Sequence, residues 1–284
     1  MPSSQPFAGR VLKDYLNRGV VLIDKPCGPS SHEVAAFARN ILGLPKTGHT
    51  GTLDQDVSGV LVILLGEACK LVSFFPDSDK KYVCIMHLEK EVSRQDLEKA
   101  FDNFRGKIYQ TPPLEAAVAR RLRIREIYSL KILEVAGRDV LFECDCEAGT
   151  YIRKLCFDAG EVLGVPAEMK ELRRTKAMGF DEADAITLQD LADYYWLATE
   201  KKDESRLRKA VMPIERALAL KPVELSAPLV SKLKNGLAPS LNEVGPKEKF
   251  SEGEFVKFLD SQGNMLGIGS VTGGGLKIER LLSF

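Results

Sequence analysis

Residues 48–59 read GHTGTLDQDVSG, which puts three glycines, one histidine and two aspartates into twelve positions between a helical pattern and a buried apolar run. Such a loop can bring backbone close to a ligand while holding a carboxylate at a strand edge. Asp54 and Asp56 have the spacing of a DxD pair, and two acidic oxygen donors suit a hard divalent cation. The same aspartates could instead bond the amides of their own turn. The metal reading is short of donors: no further carboxylate or histidine cluster is close in sequence to complete the shell.

The elements that must hold this loop are legible on both sides. GVVLIDKP (residues 19–26) has the length and branching of a short buried strand ended by proline. Ser30 with Glu33 forms a capping-box pattern, and Val34, Phe37, Ala38 and Ile41 follow at helical spacing until Gly43 and Pro45. VLVILL (60–65) reads as a fully buried strand, and residues 81–88 as another. A capped helix is expected from Ser93 to Gly106, strands over 127–135 and 140–146, a helix over 151–163, and a further helix opened by Thr187 and Asp190. The charged stretch 200–209 should continue that last helix as a solvated face. Strands and helices mix without βαβ regularity, so an α+β architecture is predicted. Beyond Pro222 the chain turns glycine-rich with short alternating apolar runs, which predicts two units: 1–220, and a small β-rich domain over 221–284.

Composition limits the function classes. The 284 residues carry 40 basic and 40 acidic side chains, so charge announces a polyanionic partner only through local clusters. The longest apolar run, six residues, is far short of the ~20 needed for a membrane helix. With no signal-peptide pattern in the first residues, a cytoplasmic protein with no membrane contact is expected. Six cysteines occur without a CxxC pair, which favours buried free thiols.

The segments DKPCGPSSHEV (24–34), GHTGTLDQDVSGVL (48–61), KKYVCIMHL (80–88), QTPPLEAAVARRLRIR (110–125), EAGTYIRKL (147–155) and ELRRTKAMGF (171–180) occur in this order. Together they resemble the TruB and dyskerin family of RNA pseudouridine synthases over roughly residues 18–200. The C-terminal piece more loosely resembles that family's PUA RNA-binding domain. The resemblance implies a catalytic domain with a mixed, mainly antiparallel central sheet and flanking helices. Met86-His87-Leu88 runs directly into the next helix, without the insertion of bacterial stand-alone enzymes. That feature resembles the archaeal branch, which works with H/ACA guide RNA and small ribonucleoprotein proteins on rRNA; the alternative is guide-independent action on a tRNA T-loop uridine.

What the resemblance implies for single residues is specific. Asp54 would attack the sugar or the base covalently while the uracil is cut from ribose, turned and rejoined through carbon, a reaction that needs no cofactor and no metal. Arg153 would pair with it, favouring the ionised carboxylate and fixing its direction. Tyr82 would stack on the extruded uracil, with its hydroxyl available for proton removal. His49, Tyr151 and Leu172 would line the nucleotide pocket, and Lys25 with Pro26 its floor. Two basic runs, Arg120, Arg121, Arg123 and Arg125, then Arg173, Arg174 and Lys176, would meet phosphates. Gln55 and Ala116 depart from the usual proline and serine. A non-catalytic RNA scaffold is the competing class, and it has no need of Asp54, Tyr82 and Arg153 together.

Overall fold

The computed structural model describes residues 10–76, 78–111, 121–244, 250–273 and 275–283. Ten strands come first: β1 (Gly19–Lys25), β2 (Thr47–Thr50), β3 (Val57–Leu65), β4 (Lys80–Leu88), β5 (Gly106–Gln110), β6 (Arg123–Ala136), β7 (Asp139–Cys146), β8 (Ala167–Ala177), β9 (Phe180–Asp181) and β10 (Val211–Pro213). Among them lie α1 (Leu12–Asn17), α2 (Ser31–Leu42), α3 (Arg94–Asp102), α4 (Ile152–Leu163), α5 (Leu188–Glu200) and α6 (Ser205–Ala210). Four more strands follow: β11 (Lys221–Glu224), β12 (Phe255–Leu259), β13 (Met265–Thr272) and β14 (Gly275–Leu281).

The first ten strands form one sheet in the order β10-β1-β3-β8-β4-β7-β6-β5, with β2 beside β3 and β9 beside β8. β3 and β8 run parallel. The other pairs in this sheet are antiparallel. The predicted α+β class and mainly antiparallel sheet are therefore observed. β8, an eleven-residue strand between β3 and β4, is an addition to the sequence reading. Its contact with β3 requires a glycine: a Cβ on Gly59 would fall 2.2 Å from the Arg174 carbonyl oxygen.

Local chemistry accounts for the helix ends. The Ser30 hydroxyl accepts from Glu33 N and the Glu33 carboxylate accepts from Ser30 N at 2.8 Å, while Gly43 closes α2 in the left-handed region. Thr187 and Asp190 open α5 in the same way. The expectation that α5 continues through 209 is corrected. Lys202 takes φ 59, Asp203 accepts from Ser205 N at 3.0 Å, and a separate α6 begins, turning Leu207 into the core.

The sheet buries both faces. Val21, Ile23, Leu61, Ile63 and Leu65 pack with Val34, Ala38, Leu97, Phe101, Leu155 and Leu191 from the helical layer. Their alternate neighbours, Val20, Leu22, Val60, Val62 and Leu64, share a second cluster with Met265 and Ile268 of β13 and with Leu282. Polar ties reinforce that junction. Buried Glu215 accepts from Arg10 at 2.6 Å and from Met265 N at 2.8 Å, and Lys257 donates to the carbonyls of Glu215 and Leu218. The four-stranded sheet β11-β12-β13-β14 is thus joined to the large one through a common core.

Glu67 is a further tie, accepting from Ser283 N at 3.1 Å and from its hydroxyl at 2.7 Å. Burial raises the carboxyl's pKa, but bonds from Lys70 and Ser283 outweigh it and hold it at about 2, against an ordinary 4.5. A carboxylate depressed in the folded state stabilises fully above its unfolded value, and that share is lost as pH falls from about 4.5 towards 2. The ceiling is about 3 kcal/mol. Denaturant unfolding of the full chain should therefore show stability falling between pH 5 and pH 2.5, and Glu67→Gln should flatten that fall; equal slopes would refute the contribution.

Candidate active site

The loop between β2 and β3 is fixed from beneath by three buried polar side chains. Lys25, at the end of β1, is wholly buried, and its Nζ donates to the carbonyls of Pro26 at 2.9 Å, Val57 at 2.8 Å and Gln55 at 3.4 Å. Burial lowers its pKa, against the opposing charges of Cys27, Asp56 and Asp54. Ser31, in the first turn of α2, donates to Leu53 O at 2.9 Å and accepts from Leu53 N at 2.8 Å. Arg174, on β8, is 1 % exposed and gives its guanidinium to the carbonyls of Val60, Gly51 and Thr52. Gly28 N adds a bond to Gln55 O at 2.7 Å, so the glutamine that replaces the usual proline is held through its backbone. With this much backbone anchored, Asp54 projects into solvent, its side chain 70 % exposed.

The guanidinium facing it is Arg153, in the first turn of α4. Gln110, buried at the end of β5, clamps the start of that helix: its Nε2 donates to Tyr151 O at 3.1 Å and its Oε1 accepts from Tyr151 N at 2.9 Å. Arg153 Nη2 lies 3.8 Å from Asp54 Oδ2 but 2.8 Å from Asp56 Oδ2. The expected partnership with Asp54 is present at ion-pair distance, while the hydrogen bond goes to Asp56. Among the described residues no group of three or more His, Cys, Asp or Glu side chains is arranged to hold a metal ion, so the DxD pair gains no third donor.

The remaining expected residues on strands lie on β2, β8 and β4 of the large sheet. Tyr82 on β4 pairs across the ladder with Arg174, and Leu172 on β8 pairs with Val57 of β3 and Cys84 of β4. Tyr82 is 8 % exposed and packs in the main core. Burial pushes its phenol up to about 12 despite the nearby Arg174 cation. At neutral pH that hydroxyl is a hydrogen-bonding group, not a base, which narrows the expected role in proton removal. His49 on β2 brings its Nε2 within 3.0 Å of His32 Nδ1, and burial, His32 and Arg174 together lower its pKa. All three causes favour the neutral form of this half-buried imidazole.

Two binding expectations need correction and one falls outside. Arg174 cannot meet a phosphate, because burial and three carbonyl acceptors commit its guanidinium to the loop. Lys25 likewise holds backbone and offers no surface to a substrate. Arg173 is partly exposed and forms ion pairs with Asp24 at 2.9 Å and Glu182 at 2.6 Å. Arg121 is exposed. Arg120, with Ala116, lies outside the described residues. Ser31, Gln110 and the Asp56 contact were absent from the sequence reading. Ser31 had a weak signal, adjoining a capping serine. Gln110 had none and Asp56 was legible only as half of the DxD pair, since their partners are 41 and 97 residues away.

Known proteins are similar to this chain along most of its length. Residues 39–152 match the TruB family pseudouridylate synthase N-terminal domain, 153–219 the tRNA pseudouridylate synthase B C-terminal domain, and 4–35 the DKCLD domain. A probable tRNA pseudouridine synthase B of Methanocaldococcus jannaschii is 45% identical over 262 residues, 92% of this chain and 78% of its own. That of Archaeoglobus fulgidus is 48% identical over 241 residues, 84% and 74% of the two chains. Among solved structures, a chain of a Cbf5-Nop10-Gar1 complex superposes with a TM-score of 0.86 at 37% identity, covering 99% of this chain and 90% of that one. A chain of an H/ACA RNP bound to a substrate RNA containing 2'-deoxyuridine gives 0.85 at 35% identity, covering 98% and 89%. Identity at this level along most of both chains, on a shared fold, leaves one conclusion: the chain belongs to the TruB family of pseudouridine synthases, enzymes that isomerise uridine in RNA.

Proposed function

We propose that Asp54 is the nucleophile of this synthase, that Arg153 is its cationic partner, and that Tyr82, Tyr151, Leu172 and His49 surround the inserted nucleotide. The observation that carries this reading is the anchoring of the loop. Three buried side chains, Lys25, Ser31 and Arg174, are committed to backbone groups of the loop, which holds the exposed Asp54 carboxylate 3.8 Å from a guanidinium. Asp54 attacks ribose or uracil, and the detached base turns in a pocket with Tyr82 against its face. Tyr82→Phe should keep the packing of the ring, and with it RNA affinity and most of the rate. Tyr82→Leu should lose roughly tenfold or more in rate, about 1.4 kcal/mol of stacking. Equal rates for the two variants, measured in single turnover, would make the ring a core residue and nothing more.

The enzyme works, in this reading, as the catalytic subunit of an H/ACA ribonucleoprotein, with guide RNA and small proteins like those in the matched complexes as partners. Superposition over 99% of the chain supports it. Residues 221–284 then serve as the PUA-type RNA grip, and exposed Arg121 with half-exposed Arg173 meets phosphates at the catalytic end. In this reading the enzyme acts in the cytoplasm. The relatives named tRNA pseudouridine synthase B favour a second reading, guide-independent action on tRNA. Assaying purified chain on tRNA and rRNA transcripts, with and without guide RNA and the small proteins, separates them. Guide-dependent conversion supports the first reading, and full tRNA conversion by the chain alone replaces it with the second.

A further inference from the structure

We propose that Asp56 is a positioning residue for the isomerisation: it holds the Arg153 guanidinium over the loop before RNA arrives, so that the cation is already aimed at Asp54. This rests on the roles given above to Asp54 and Arg153. The same nitrogen, Arg153 Nη2, is 2.8 Å from Asp56 Oδ2 and 3.8 Å from Asp54 Oδ2. An arginine with 44 % of its side chain exposed has many rotamers to lose, and fixing it costs entropy. A charge-assisted bond to a neighbouring carboxylate meets that cost before the substrate binds. It does so without occupying the reacting group. At 3.8 Å Asp54 is attracted to the cation but keeps its lone pairs unengaged by that nitrogen, whereas a direct 2.8 Å bond would have to stretch as the carboxylate attacked.

The anchor is itself fixed. Lys25 bonds the carbonyls of Gln55 and Val57 on either side of Asp56, and Cys27 Sγ donates to the Asp56 carbonyl at 3.3 Å. The Arg153 hydrogen bond also lowers the Asp56 pKa against the effect of partial burial, which keeps the anchor ionised at neutral pH. Lys25 and Arg153 together offset the charges of Asp54 and Asp56. The pair can then be desolvated under RNA without leaving a net charge.

The test is single-turnover conversion by the full chain of a transcribed RNA that the wild type converts, with guide RNA and small proteins added if conversion needs them. Asp56→Ala should lower the saturated rate about tenfold, with RNA affinity within about twofold and an unchanged unfolding midpoint. Asp56→Asn, which keeps an acceptor, should recover most of the rate. In an Arg153→Met background, Asp56→Ala should change the rate less than about twofold. A saturated rate for Asp56→Ala within twofold of wild type, or a loss of equal size with Arg153 already removed, overturns the proposal. If Arg153→Met itself keeps the wild-type rate, the role of Arg153 fails and takes this one with it; if Arg153→Met is crippled and Asp56→Ala is inert, only this one falls.

Discussion

A chain cut at residue 220 should not survive as a stable, soluble catalytic unit. The sequence suggests otherwise, because the glycine-rich alternation after Pro222 reads as a separate small β-rich domain. In the structure Val20, Leu22, Val60, Val62 and Leu64 pack against Met265, Ile268 and Leu282, and Glu215, Arg18 and Glu67 bond backbone or side chains beyond the cut. Baring three large apolar contacts and the strip beneath them costs on the order of 5 kcal/mol, at 1.5–3 kcal/mol for each buried side chain. That is much of the roughly 5–15 kcal/mol by which a domain is stable. Expression of residues 1–220 should give aggregated or partly unfolded protein, with a thermal midpoint far below that of the full chain. A monomeric fragment that melts cooperatively within a few degrees of the full chain would show that the two units fold independently.

The clue to this shared core was present in VLVILL. A run buried at every position must be covered on both faces, and the helices expected from sequence cover only one. The second layer had to come from elsewhere in the chain. Other parts of the fold were legible because they depend on neighbours in sequence. The capping boxes at Ser30 and Thr187 and the apolar periods behind them place α2 and α5 correctly. β8 was not legible, since AEMKELRRTKA has charges on both faces and no apolar alternation. A central strand can carry them because Arg174 satisfies its burial on loop carbonyls and Arg173 on Asp24 and Glu182.

The site divides along the same line. Asp54 stands out through the glycines around it and the ordered segments on either side. The resemblance puts Lys25 on the pocket floor and Arg174 in a basic run that would meet phosphate; their burial and carbonyl partners make both of them anchors of the loop. Arg153 was expected opposite Asp54, but that Asp56 makes the shorter contact could be learned only where α4 meets the loop, because a local pattern contains no information about a partner 97 positions away.

In the proposed reaction the outward carboxylate of Asp54 performs the isomerisation. Asp54→Asn keeps the side-chain volume and, with Lys25, Ser31 and Arg174 untouched, leaves the loop anchored by the same backbone bonds. It removes the charge that attacks. Pseudouridine formation by the purified Asp54→Asn chain, followed in single turnover beside its RNA affinity, is therefore the most direct measurement. The variant should bind RNA within a few-fold of wild type and react at below about a thousandth of its rate, a loss of roughly 4 kcal/mol in transition-state stabilisation. Turnover near the wild-type rate, in a preparation free of wild-type enzyme, would put the nucleophile elsewhere.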